Sequence, residues 1–370
     1  MHSQMQKITR GFCYSFALLM FLGTVLDAQA QDRRRKRQYR NQNNRISQFS
    51  GNRIAFANAK RYITIGGSIN ALNYFGDIAP KSNIGSTDIS FTRPGIGISS
   101  SVRLGSALSV RAAFMYGRLS SSDYEVSDPT DGDAVFRYAR NLQFRNDVKD
   151  FSLVGVYDIF SNPYTVVMRL NFTPYVFAGV SVFHHDPKGL VPSEATLSPG
   201  NTFTPDQAGD WVSLSELETE GQAYSNFQLS IPFGLGVRFR VSQILDLEAE
   251  ISYRYLFTDY IDDVSTNYID KGLLGTDLAK IMSDRALETS DVLSGENRFD
   301  ALVASEKVNT NNLPVYTGAD GADYVHLPGY GQPGAQRGSS NDNDIFLVTT
   351  IRAVFMIGPS PFSNSGLGPR

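Results

Sequence analysis

The residues of this chain that could do chemistry stand mostly at alternate positions. Arg238 and Arg240 precede a short break, and Asp246, Glu248, Glu250 and Arg254 follow it, with apolar or small residues between them. Arg111 and Arg352 occupy similar positions in other segments. Carboxylates and guanidiniums spaced this way suit a structural network of ion pairs better than a conduction path. Asp259, Asp262, Asp263 and Asp270 are oxygen donors of the kind Ca²⁺ takes, as are Asp128, Asp131 and Asp133 around Gly132, but neither spacing is that of an EF-hand loop. His184 and His185 are adjacent, so on a strand they face opposite ways and cannot share a metal. With His326 they are the only histidines outside the extreme N-terminus. No H-x-x-x-H, C-x-x-C or G-x-S-x-G pattern occurs, and Gly234-Leu235-Gly236 lies inside a strand, not before a helix. The expectation is a non-enzymatic protein with no cofactor, no metal and no small-molecule substrate. An outer-membrane hydrolase, the competing reading, would depend on His184 or His185.

The charges imply strands to position them. Over 245–257, Leu245, Leu247, Ala249, Ile251, Tyr253, Tyr255 and Phe257 share one face, opposite Asp246, Glu248, Glu250, Ser252 and Arg254. Over 227–241, Phe227, Leu229, Ile231, Phe233, Leu235, Val237, Phe239 and Val241 do the same. A turn at 242–244 that pairs Val241 with Leu245 sets Arg240 across from Asp246 and Arg238 across from Glu248. Weaker alternation marks 62–75, 91–104, 108–116, 150–159, 167–183 and 345–357. Eight strands follow, most about 9–11 residues long, enough to cross a bilayer at a tilt. Short connections (105–107, 161–164, 242–244) alternate with long ones (76–90, 117–149, 184–226, 258–344). That alternation predicts an all-β, eight-stranded antiparallel transmembrane β-barrel with long extracellular loops. The sheet must close, because lipid cannot satisfy an open edge. An even strand count puts both termini in the periplasm. Eight strands leave an interior filled by side chains, so the charged set should form a packed polar plug. A secreted soluble β-sandwich is the alternative.

Composition and the termini fix the compartment. Aromatic residues make up 12%, with one Trp, and the net charge of −3 offers no pull toward nucleic acid. Lys7 and Arg10, an apolar stretch from Phe12 to Leu26, and Ala28-Gln29-Ala30 read as a signal peptide over 1–30. Its removal takes the only cysteine, Cys13. Residues 31–60, with Arg33, Arg34, Arg35, Lys36, Arg37, Arg40 and Arg45, read as a flexible basic periplasmic arm. The barrel is expected over 61–357 and a tail over 358–370. In the last long loop, Thr276–Thr289 has helical spacing with Thr276 as N-cap, and Leu313–Asn343 reads as irregular.

Two stretches carry a resemblance. They are Asn73-Tyr74-Phe75-Gly76-Asp77-Ile78-Ala79-Pro80 and Tyr253-Arg254-Tyr255-Leu256-Phe257-Thr258-Asp259-Tyr260-Ile261-Asp262-Asp263-Val264-Ser265. With the strand order over about 60–357, they resemble the PorG-like outer-membrane barrels of Bacteroidetes, which are associated with the type IX secretion system. The resemblance implies an anchor in outer-membrane lipid of a Gram-negative bacterium that contacts periplasmic secretion-ring proteins, without catalysis or cofactor. Loops longer than a minimal barrel of this kind needs leave a second expectation: a barrel whose long loops bind an external ligand or partner.

Overall fold

The computed structural model describes residues 62–78, 92–130, 134–162, 169–340 and 343–359. The expected signal peptide, the basic arm and the tail beyond Pro359 lie outside them. In chain order the strands are β1 (Tyr62–Phe75), β2 (Arg93–Arg103), β3 (Leu108–Ser122), β4 (Gln143–Asp158) and β5 (Phe172–His184). The short β6 (Pro187–Leu190), β7 (Ala195–Ser198), β8 (Asn201–Phe203) and β9 (Trp211–Ser213) follow. Then come β10 (Phe227–Arg240), β11 (Leu245–Leu256), the short β12 (Val315–Thr317) and β13 (Asp323–Val325), and β14 (Ile345–Pro359).

The eight long strands close a ring. Each pairs antiparallel with its neighbour in the order β1, β2, β3, β4, β5, β10, β11, β14, and β14 returns to β1. Arg238 pairs with Glu248 and Arg240 with Asp246, the register that the alternating faces require. The outside of the ring is apolar. Ile69, Ile98, Val180, Leu235 and Ile351 are each at least half exposed, and no Asp, Glu, Lys or Arg takes an outward position in 94–102, 108–116, 151–157, 176–182, 227–239, 245–255 or 345–357. A soluble sandwich buries its apolar faces. This barrel turns them outward and places its ion pairs within, the arrangement of a lipid-spanning wall.

Several boundaries differ from the sequence expectation. β3 continues to Ser122 and β4 begins at Gln143, so this hairpin stands taller than 108–116 and 150–159 implied. Its upper part leaves the apolar belt, and there the alternation reverses: Arg118, Arg145 and Asp147 face out while Leu119, Phe144 and Val148 face in. β5 begins at Phe172, with 169–171 before it not strand, and the start expected at Val167 lies outside the described residues. The helix capped by Thr276, whose hydroxyl accepts from the Ala279 amide at 3.1 Å, ends at Ser283, short of Thr289. Within 313–343, β12 and β13 form a small hairpin where an irregular chain was expected.

The interior is also less uniform than a polar plug. Its loop end is filled by an apolar cluster including Leu72, Met115, Leu119, Phe144, Phe183 and Phe346 from the strands, joined by Ile78, Ile261 and Val264 from the loops. Two further apolar clusters lie within the loops, one around Val135, Tyr138, Tyr268 and Leu302, the other around Val191, Leu214, Ile281 and Met282. The long loops are therefore a folded cap with its own cores.

Candidate functional site

Below the apolar plug, inward residues of seven strands meet in one network. Glu250 accepts from both Arg111 and Arg352. Arg111 binds it in a two-pronged contact, and Arg352 Nη1 lies 2.8 Å from Glu250 Oε1 and 2.9 Å from Glu248 Oε2. Arg238 then bridges Glu248 at 2.7 Å and Asp158 at 3.1 Å, and Arg103 binds Asp158 at 2.8 Å. The Tyr175 hydroxyl donates to Glu250 at 2.6 Å. Room for that ring exists because residue 236 is glycine: a Cβ there would come within 2.6 Å of the Tyr175 ring.

Most of the charged residues picked out by spacing converge here, with three departures. Arg240 sits across from Asp246 in register but bonds the backbone oxygens of Ser242 and Arg169. Asp246 instead pairs with Arg169 at 2.6 Å, a residue inside the stretch 167–183 that was not singled out and that stands just before β5. Arg254 pairs with Asp150 at 3.3 Å, one level above. Arg103, Asp158 and Tyr175 complete the network and were missed, although the first two end their strands at the inward parity. A space of about 30 Å³ remains beside Arg111, Glu250 and Arg352, room for a water or two and no conduit.

The two motif stretches meet above the plug. The Tyr74 hydroxyl lies 2.5 Å from Asp262 Oδ2 and 3.0 Å from Asp344 Oδ1. A phenol has one proton to donate, so the other contact needs a protonated carboxyl. Gly76 makes the junction possible, since a Cβ there would fall about 2 Å from the Tyr74 hydroxyl and from Asp344. Asp262 also accepts the Val264 amide at 3.0 Å, and Asp344 the Ile261 amide at 3.0 Å. Asp77 accepts the Ser339 amide at 2.8 Å, Asn73 donates to Thr92 at 2.7 Å, and Thr258 accepts the Tyr260 amide at 3.2 Å. The Tyr260 ring stacks on Tyr224 at 4.6 Å. Phe75, half-buried, completes the first stretch, and Asp259 lies close enough to Asp344 to raise its pKa.

Beside this junction, Asp263 sits in the left-handed region with φ 68°, held there by Thr219, Tyr224 and Arg337. Arg337, 2% exposed, donates to Glu220 at 2.8 Å, to the Asp263 carbonyl at 2.5 Å and to the Ser283 carbonyl at 3.1 Å. Arg140 clamps Asp123 in a two-pronged pair at 2.8 and 2.9 Å and reaches the carbonyls of Asp77 and Arg337. Every long connection thus contributes a group to one buried polar layer. Arg140, Glu220, Arg337 and Asp344 were invisible to spacing because their partners lie more than 15 residues away in sequence.

Burial pushes the Asp262 and Asp344 carboxyls well above the usual range, and repulsion adds to it, from Asp77 on Asp262 and from Asp262 on Asp344. A carboxyl whose pKa is raised in the folded state stabilises that state below its unfolded pKa, near ~3.9, and loses the contribution as pH rises through the folded value. Protection of the Ile261 and Val264 amides against hydrogen exchange should therefore fall as the pH is raised, after correction for intrinsic rates. Protection independent of pH would contradict the shared proton.

The histidines are structural in their setting. His184 packs edge-on against Phe227, while His185 turns inward, parallel to Tyr224 at 6.2 Å. Burial lowers the His185 pKa to about 4. His326 is buried, with Nδ1 3.0 Å from the Leu327 carbonyl oxygen. Asp270 caps Gly272 and receives the Ala319 amide, and Asp128 receives that of Thr130, whereas Asp131 and Asp133 lie outside the described residues. Among the described residues, no three His, Cys, Asp or Glu side chains come together as metal ligands do.

A family described as a domain of unknown function (DUF6089) matches residues 52–202. No curated protein matches the sequence. Among solved structures, the outer membrane protein OprG from Pseudomonas aeruginosa is 9% identical, with 81% of this chain and 97% of OprG covered and a TM-score of 0.32. Neisserial surface protein A is 11% identical, with 80% and 96% covered and a TM-score of 0.29. The attachment invasion locus protein Ail of Yersinia pestis is 9% identical, with 80% and 97% covered and a TM-score of 0.29. At these TM-scores the likenesses carry no argument, and the barrel rests on the closed strand pairing of this chain.

Proposed function

We propose that this chain is a non-enzymatic protein of the outer membrane that acts as a closed platform: a barrel with both termini in the periplasm and a folded cap outside. The observation that carries this reading is the sealed lumen. Its ion pairs close on one another and the apolar plug fills the loop end, which suits an anchor and not a conduit. In planar bilayers the purified protein should give no steady channel steps. Porin-sized steps would contradict the platform.

The finer task we infer is to anchor or assist a type IX protein secretion apparatus through periplasmic ring components. The support is the resemblance at 73–80 and 253–265, which fall at one buried junction. Affinity purification from outer membranes in mild detergent should recover ring components; recovering none would count against the role. The ordered cap favours a second reading, in which the loops receive an external partner. Arg337 ties the last loop to the rest of the cap, so substitutions of exposed cap residues test that reading better than deletion of 266–340.

A further inference from the structure

The outward face of β3 changes character along its length. Val110, Ala112 and Phe114 are apolar, Tyr116 follows, and then come Arg118 and Ser120. On the neighbouring β4 the outward order from the opposite direction is Arg145, Asp147, Lys149 and then Phe151. The cationic level therefore lies directly above the apolar belt, with an aromatic ring between, as at the headgroup depth of a bilayer. There a cleft of about 490 Å³ opens between the strands and the cap. Arg93, Arg118 and Arg145 line it with Tyr116, Trp211 and Ser121, and Glu125 is the single acid in its wall.

The Arg145 guanidinium rests 4.2 Å from the centre of the Trp211 ring and forms no ion pair among the described residues. Arg118 is steadied by Asp147 at 2.5 and 3.1 Å, and Arg93 by the Ser120 hydroxyl at 2.7 Å. Ser121 is 4% exposed, and its hydroxyl has no hydrogen-bond partner among the described residues. The positive charges of Arg93, Arg118 and Arg145 and the Ser121 hydroxyl fit an oxyanion with several acceptor oxygens, with Arg118 held in place by its two-pronged pair with Asp147. The indole and phenol faces fit the apolar face of a sugar ring, and the belt below gives acyl chains a continuous path along β3.

We propose that this cleft seats the phosphorylated sugar headgroup of a lipid in the outer leaflet. The proposal rests on the outer-membrane platform reading, with the cap outside. Trp211 is the sole tryptophan, so its fluorescence reports the site in the full-length protein. In nanodiscs of zwitterionic phospholipid, a phosphorylated glycolipid should shift Trp211 emission saturably, and its dephosphorylated form should not. Arg118→Gln should weaken that response about tenfold, the worth of one charge-assisted contact, while gel migration of the folded barrel stays unchanged. Arg93→Gln should act in the same direction. An equal response to both glycolipids, undiminished binding in both variants, or an equal response to inorganic phosphate alone would overturn the lipid site. A barrel that still migrates anomalously unboiled but shows no Trp211 response fails only this site, whereas loss of that migration in the unaltered protein fails the platform reading beneath it.

Discussion

Replacing Glu250 with alanine should lower the unfolding free energy of the barrel by about 3–5 kcal/mol, the cost of stranding buried charges when one partner is removed. Two guanidiniums, Arg111 and Arg352, converge on this one carboxylate, and the Tyr175 hydroxyl donates to it as well. All four side chains are buried. Without Glu250, Arg352 keeps Glu248 at 2.9 Å and Arg111 keeps only a 3.7 Å approach to the same residue. Urea titration in detergent, followed by the loss of the folded gel band, measures the loss. Adding Arg111→Met and Arg352→Met to Glu250→Ala should recover much of the stability, because apolar side chains of similar length need no partner. A Glu250→Ala barrel as stable as the parent would mean that the charges are solvated through an open lumen.

Arg337→Ala should release the cap and leave the barrel standing. The substitution removes the partner of Glu220 and one of the groups that hold Asp263, both buried, and frees the carbonyls of Asp263 and Ser283. Although burial opposes it, Arg337 with the Thr266 hydroxyl and Ser265 amide keeps Glu220 below the usual carboxyl range. The cap should lose about 3–5 kcal/mol locally. Limited proteolysis should then cut within 258–344 at a much higher rate, while the strands remain protected and the folded gel band persists. Unchanged protease resistance would show that the cap is held by its apolar cores alone. The variant differs from Glu250→Ala in kind: one loosens the wall through its core, the other only the loops.

The membrane-crossing wall was legible because lipid outside and ion pairs inside impose opposite demands on successive residues. Leu245 to Tyr255 carries that contrast at every position, so both the strand and the pairing of Arg238 with Glu248 could be read directly. Gly234 and Gly236 were read only as evidence against a nucleotide loop. In the fold Gly236 marks the space that Tyr175 fills from the next strand. Above the apolar belt the contrast reverses: on the upper part of β3 and β4 charged residues face out and apolar ones face in, so the strands run past the bounds read for them. Arg169 was not singled out within 167–183. The cap was the least legible part, since Arg140, Asp262, Arg337 and Asp344 are brought together by loop closure between distant segments. Local pattern cannot encode such meetings. The two motif stretches did not indicate what they build where they meet: a junction in which Gly76 clears space for Tyr74 between two carboxyls.

The central claim is a closed barrel whose apolar face meets lipid. The most direct measurement is gel migration of protein extracted from membranes, with and without boiling. The unboiled protein should appear only in the detergent-extracted fraction and run as a compact, fast band that shifts to the position of the 40.8 kDa chain (less any cleaved signal peptide) on heating. Release into the aqueous fraction without detergent, with a single band unaffected by boiling, would contradict the barrel and favour a soluble sandwich.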